Sequence, residues 1–204
     1  MRVELKNVTV GWGGQAVLRH VNLTLEDGQM VGVVGPSGSG VSLLLKTAAG
    51  LIPPLAGTVR HDGVDLARLG EEAGRRLQTR SGFMFQDAAL WANTNLEGNL
   101  LLPLRAKFPR LTPREQQTRL WQELEAAGFM TDLSQRPAQL SLGQQRFVSY
   151  LRATLPDPEA LFLDEPVLGL DAAWSGALWR RAALLRAKGT AILAGSHHFQ
   201  SWCD

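Results

Sequence analysis

The chain has 204 residues, 45% hydrophobic and 20% charged, a balance that supports one large folded domain and excludes disorder as the main state. Its 21 lysines and arginines stand against 19 aspartates and glutamates, and the formal charge of +2 is dispersed, so no basic tract points to nucleic acid as a partner. No apolar run approaches the roughly 18 residues that span a bilayer, and a single cysteine, Cys203, excludes an internal disulfide and fits a reducing, cytoplasmic setting.

Residues 3–10 alternate apolar and polar side chains as a strand does, and the same opening lacks the hydrophobic block of a secretory signal, so export is not expected. Gly11-Trp12-Gly13-Gly14 turns the chain, residues 16–25 alternate again, and Asp27-Gly28 leads into an apolar run at 30–34 that has the character of a buried strand. A glycine loop follows at once, and residues 41–49 then carry a helical pattern that stops at Gly50. Residues 57–63 predict another strand and turn, and 81–86 a short strand that ends in Gln86. Between Gln86 and Leu140 the pattern becomes helical. Its clearest start is Thr112-Pro113-Arg114-Glu115, with a capping threonine, proline at the first helical position and glutamate closing the capping box. Leu120, Trp121, Leu124 and Ala127 are expected on one face before Gly128. Residues 141–155 predict a further helix, with Phe147, Val148, Leu151 and Leu155 on one side and Pro156 ending it. A buried strand at 161–163, a helix at 172–187 and a last strand at 191–194 complete the pattern. The sum is an α/β fold, a parallel-type core with an antiparallel β edge from the start of the chain and a helical insert in the middle.

Strand, glycine loop, helix is the order that phosphate binding requires, because loop amides and the helix N-terminus then converge on one point. The loop Gly35-Pro36-Ser37-Gly38-Ser39-Gly40-Val41-Ser42 matches the P-loop pattern G-x-x-x-x-G-K-[ST] except that Val41 stands where the pattern has lysine. Ser42 is placed to offer its hydroxyl to Mg2+. Lys46, five positions beyond Val41 on the predicted helix, is expected to point to a different face and not to replace the missing charge. Leu161-Phe162-Leu163-Asp164-Glu165 is an apolar strand ending in two acids, which suits Asp164 as a Mg2+ ligand and Glu165 as the base for an attacking water.

Leu140-Ser141-Leu142-Gly143-Gln144 precedes that strand, and with it the chain resembles, over nearly its whole length, the nucleotide-binding subunit of an ABC (ATP-binding cassette) transporter. It departs from the family's LSGGQ signature only at Leu142. The resemblance implies a P-loop NTPase core with an N-terminal antiparallel β subdomain and a helical subdomain insert, binding ATP and Mg2+. In domain terms residues 1–204 form a single ABC ATPase domain, with 1–86 and 156–204 as core and β subdomain and 87–155 as the helical subdomain. Trp12 matches the aromatic that stacks on adenine, and Gln86 the Q-loop glutamine that senses Mg2+ and the γ-phosphate. Asp171, in Gly169-Leu170-Asp171, matches the D-loop, and His197, in Ser196-His197-His198, the switch histidine that contacts the γ-phosphate. In the family two cassettes sandwich two ATP molecules, so Ser141, Gly143 and Gln144 are implied to face nucleotide on a partner's P-loop.

The stretch Phe85-Gln86-Asp87-Ala88-Ala89-Leu90-Trp91, with Asn99 and Leu102-Pro103-Leu104, is similar to the corresponding segment of ATPases serving bacterial mammalian-cell-entry (MCE) lipid transporters. Other import and lipoprotein-release ATPases share parts of it. The implied setting is peripheral, on the cytoplasmic face of the inner membrane, against an integral-membrane permease. Loss of the lysine alongside retained Glu165, Asp164, Gln86 and His197 favours the degenerate half of a heteromeric pair whose second ABC subunit has an intact P-loop. A slow homodimeric ATPase and a structural or regulatory pseudo-ATPase stand beside that expectation. Soluble cassettes of DNA repair or translation form another class, but none of their usual coiled coils or zinc inserts is visible. The chain stops soon after His197, so a C-terminal segment that often supports dimerisation in the family is expected to be lacking.

Overall fold

The structure, a computed structural model, describes residues 1–197. In chain order the elements are β1 (Val3–Trp12), β2 (Gln15–Leu25), β3 (Met30–Val34), α1 (Val41–Ala48), β4 (Ala56–His61), β5 (Val64–Asp65), α2 (Glu71–Gln78), β6 (Ser81–Met84), α3 (Leu96–Lys107), α4 (Pro113–Ala126), α5 (Leu142–Thr154), β7 (Ala160–Asp164), α6 (Ala172–Ala187) and β8 (Ala191–Ser196).

The strands divide into two four-stranded sheets, β2-β1-β4-β5 and β3-β8-β7-β6, the first antiparallel and the second parallel. The antiparallel portion is therefore a sheet of its own, the N-terminal β subdomain that the resemblance implied, rather than the edge that the residue pattern alone suggested. β4 returns from beyond α1 to pair with β1, Val3 opposite His61, while β1 also pairs with β2, Val3 opposite Leu25.

Parallel strands covered on both faces need apolar side chains on both, which is why β7 and β8 lack polar alternation and are buried at every position. Successive side chains still point to opposite faces. Leu161 and Leu163 enter a cluster with Leu100, Phe147 and Leu178, whereas Ala160 and Phe162 enter a second one with Val3, Leu45 and Val59. The first lies under the helices, the second between α1 and the antiparallel sheet.

In the helical region Thr112 and Glu115 form the expected capping box, and α4 buries Leu120 and Leu124. Trp121 does not share that face; it is 43% exposed, because one residue of helix turns the side chain by about 100° away from the Leu120–Leu124 line. α2 has no apolar stripe and no buried residue, so the pattern gave no sign of it. Its support on the surface is the pairs Glu71–Arg75 and Glu72–Arg76 one turn apart. The strand expected to run to Gln86 ends at Met84, leaving Gln86 in the loop beyond. Among the described residues no helix is long and apolar enough to cross a membrane.

Candidate functional site

At the end of β3 the chain leaves the parallel sheet, with the Gly35 amide donating to the Ser196 carbonyl at 3.3 Å, and wraps around the start of α1. Gly38 and Gly40 take positive φ values of 81° and 94°, the left-handed region that side chains resist. Gly40 is the N-cap of α1 and offers no side-chain acceptor, so the first amides of the helix keep their donors for whatever enters the loop. Ser39 Oγ is buried and, among the described residues, has no hydrogen-bond partner. Val41 faces the other way. It is 5% exposed, and a Cβ added to Gly195 on β8 would lie 2.5 Å from its Cγ1, so its methyls fill the seam between α1 and the parallel sheet.

Ser42 turns toward the end of β7, where its hydroxyl donates to Asp164 at 2.9 Å. Asp164 is 1% exposed, and that burial pushes its carboxyl above the usual carboxylate range, against the opposing pull of the Ser42 hydrogen bond and the charge of Lys46. Glu165 follows at φ 53°, an unfavourable backbone state for a non-glycine residue, held by its amide's bond to the Gly195 carbonyl at 3.0 Å. Its buried carboxylate accepts from the Ser196 hydroxyl at 3.2 Å and meets both the backbone amide and ring Nδ1 of His197.

Two recesses open at this point. One, of about 450 Å3, is bordered by Trp12, Gly38, Gly40, Val41, Ser42, Lys46 and His197; the other, of about 560 Å3, by Ser42, Lys46, Gln86, Arg146 and Asp164. Lys46 and Ser42 line both, a position that the expected difference of face from Val41 does not exclude. The lysine is indeed on a different face from Val41, but Val41 faces the core. The open face belongs to Ser42, and residues four apart on a helix share a face.

The other predicted residues gather elsewhere. Ser141 caps α5, its Oγ accepting from the Gln144 amide at 3.2 Å while Gln144 Oε1 accepts from the Ser141 amide at 2.9 Å. Leu142 beside them is 77% exposed. A Cβ on Gly143 would come within 2.6 Å of the Gly169 carbonyl, so glycine permits α5 to press against the 168–170 turn. Asp171 caps α6 by accepting from the Trp174 amide at 2.8 Å. Among the described residues, neither recess is lined by Ser141, Gly143, Gln144, Glu165 or Asp171. His198 and Cys203 lie outside the described residues.

Two arginines were not legible in the sequence. Arg146 borders the second recess and donates to the Leu168 carbonyl. Arg152 donates to the carbonyls of Ala89 at 2.8 Å and Ala88 at 3.1 Å. Both alanines have positive φ, so this half-buried guanidinium fixes an otherwise unfavourable loop just after Gln86. Neither arginine sits in a motif that local spacing could single out.

The family described as "ABC transporter" matches residues 18–168, three-quarters of the chain, and includes the loop, Gln86, the Ser141 segment and the Asp164-Glu165 pair. The chain belongs to the ABC transporter family. This ABC chain is 36% identical over 170 residues to the uncharacterized ABC transporter ATP-binding protein y4fO of Sinorhizobium fredii, spanning 83% of its own length and 48% of that relative. It is 35% identical over 190 residues to the lipoprotein-releasing system ATP-binding protein LolD 2 of Caulobacter vibrioides, spanning 92% of itself and 82% of that protein. Thus the chain spans about half the length of the first relative and most of the second. In three dimensions it is similar to the dimeric structure of MJ0796, a bacterial ABC transporter cassette, with a TM-score of 0.90, 28% identity and coverage of 98% of this chain and 89% of that one.

Proposed function

We propose that this ABC transporter ATP-binding subunit is the degenerate half of a heteromeric ATPase pair that couples ATP to transport across the bacterial inner membrane. The observation that carries the proposal is the juxtaposition of Ser42 and Asp164 at the open face of α1 while Val41 is committed to the core. A hydroxyl and a buried carboxylate whose desolvation Ser42 and Lys46 offset only in part are a donor set suited to a hard divalent cation. Mg2+ held by Ser42 and Asp164, with Gln86 across the recess, would neutralise phosphate charge at that point. Around it the loop amides of 35–42 cradle phosphate oxygens, with Ser39 Oγ as a spare polar group. Trp12, 76% exposed at the rim, offers a stacking face for the base. Glu165 takes the proton of an attacking water, and His197, which borders the recess and touches Glu165, orients that carboxylate.

A lysine at position 41 would give a charge-assisted contact worth about 1.5–3 kcal/mol, or about 10- to 150-fold in affinity. Two such lysine-free sites would leave a homodimer doubly impaired, which favours a second cassette with an intact P-loop. The placement of Ser141, Gly143 and Gln144 away from this chain's own recesses supports their presentation to that partner's nucleotide. Residues 87–155 serve as the helical subdomain that meets an integral-membrane permease on the cytoplasmic face. Lipid is the proposed cargo class, supported by the segment after Gln86 and by the lipoprotein-releasing system to which the LolD 2 relative belongs.

Titration of the purified chain with ATP, with and without Mg2+, tests the site. Binding should tighten with Mg2+ in the wild type, and Ser42→Ala should remove that Mg2+ dependence. Binding that is indifferent to Mg2+ in both proteins would sink the assignment of Ser42 and Asp164.

A further inference from the structure

We propose that Lys46 supplies, from one turn further along α1, the positive charge to the nucleotide's phosphate tail that Val41 does not. The inference deepens the nucleotide-site reading above and rests on it. Val41 is buried against Gly195, so the first position of the helix brings only apolar atoms to the recess wall and no charge. Ser42 and Lys46 are four residues apart, about 6 Å along the axis, and their side chains lie over one another. Side chains on a helix lean toward its N-terminus, so the four-carbon stem of Lys46 runs back over Ser42 toward the glycine loop. It lines the loop-side recess with Gly38, Gly40 and His197 and also the recess that holds Gln86 and Asp164.

The lysine is half-buried, which lets its stem pack while the ammonium reaches the opening. Among the described residues it takes part in none of the ion pairs within 4 Å, and its electrostatic influence falls on Asp164. Arg146 is the other cation of the second recess, but its guanidinium is engaged with the Leu168 carbonyl. An uncommitted ammonium beside a hydroxyl–carboxylate pair and a ring of loop amides suits the polyphosphate of a nucleoside di- or triphosphate. A nucleoside monophosphate has too short a tail to use it.

Calorimetric titration with Mg-ATP and with AMP decides the matter, using wild type, Lys46→Met, Lys46→Arg, Val41→Lys and the double variant Val41→Lys with Lys46→Met. Lys46→Met keeps the stem and should bind Mg-ATP about tenfold more weakly with AMP binding unchanged, while Lys46→Arg retains most of the affinity. In the Val41→Lys background the same Lys46→Met change should cost less than about threefold, since one ammonium already meets the phosphates. If wild type binds Mg-ATP and Lys46→Met binds it equally well, the role of Lys46 falls and the nucleotide site stands. Tighter binding by Lys46→Met would mean that the ammonium competes with Mg2+ at Asp164, and the inference would be wrong. Absence of Mg-ATP binding in wild type and in Val41→Lys alike would overturn the site reading together with it.

Discussion

Ser42, the second residue of α1, and Asp164, the last residue of β7, are 122 positions apart in sequence and joined by a 2.9 Å hydrogen bond. The bond depends on how closely α1 lies on the parallel sheet. Asp164 is in register with Gly195 of β8, and a Cβ at Gly195 would sit 2.5 Å from Val41 and 3.0 Å from Leu45. A bare backbone there lets the helix descend until Ser42 reaches the carboxylate. Packing between two apolar motifs thus sets the distance between two polar ones.

The burial of Val41 makes Val41→Lys a trade between stability and binding. The new stem must occupy the space of the two methyls and carry its ammonium outward. Unfolding stability should fall by about 1 kcal/mol, while Mg-ATP affinity should rise at least about tenfold. Denaturant unfolding and calorimetry on the same preparation check both, and equal affinities would remove the argument from the lost charge contact.

His61 should give the fold a pH dependence that has nothing to do with the nucleotide site. Its ring is buried, Nε2 donates to the Ala48 carbonyl at 2.7 Å, and Nδ1 has no partner among the described residues. Burial lowers its pKa from 6.5, so as pH falls below that value the unfolded chain takes up a proton that the folded chain refuses. Stability contributed by neutral His61 is therefore present above about pH 6.5 and is lost toward the lower folded value. His61→Gln, which retains an amide donor for Ala48, should flatten this part of the melting temperature profile between pH 7 and 5. An unchanged slope would show that the ring does not carry it.

The glycine loop and the apolar strand ending in Asp164-Glu165 were legible as local patterns, and Ser141 to Gln144 through the family resemblance, whereas the capping box that Ser141 and Gln144 form is visible only in the structure. What escaped depends on distance in sequence or on direction in space. The separate antiparallel sheet came from the family resemblance and not from local pattern, because β4 crosses back to β1, which no window of residues records. That Lys46 lines the recesses beside Ser42 follows from the seam with Gly195 claiming Val41, which only the packing of α1 on the sheet reveals. Arg152 holds the backbone of Ala88 and Ala89 from another helix, so its meaning exists only after folding.

Trp91, in the loop after Gln86, is 55% exposed, whereas its neighbour Leu90 packs partly against the helical core. A change at Leu90 would therefore mix a docking effect with a packing one. Trp91→Ala alone should weaken co-purification with a membrane subunit several-fold, because large exposed aromatics dominate contact energies, while leaving thermal stability within about 0.5 kcal/mol. Undiminished association would assign the docking surface to other residues.

The two composite nucleotide sites of a cassette pair draw on different residues of this chain, and that separates the heteromer from its rivals. In the proposed heteromer Glu165 belongs to the site built on Val41, where the missing lysine is expected to slow reaction. Ser141 and Gly143 lie at the N-terminus of α5, outside this chain's own recesses, and in the same proposal they belong to the site on a partner's loop. In the reconstituted transporter Glu165→Gln should reduce ATP hydrolysis only modestly. Ser141→Arg should nearly abolish it, by losing the cap on α5 and placing bulk and charge where that helix N-terminus must approach phosphate. Since the capping loss alone is worth about 1 kcal/mol, Ser141→Ala separates a folding defect from a contact defect. A large loss from Glu165→Gln with little from Ser141→Arg would place hydrolysis on the lysine-free loop and leave the slow homodimer as the better account. No loss from either would make this chain a structural subunit, whose Glu165 is held by Ser196 and His197 without acting on water.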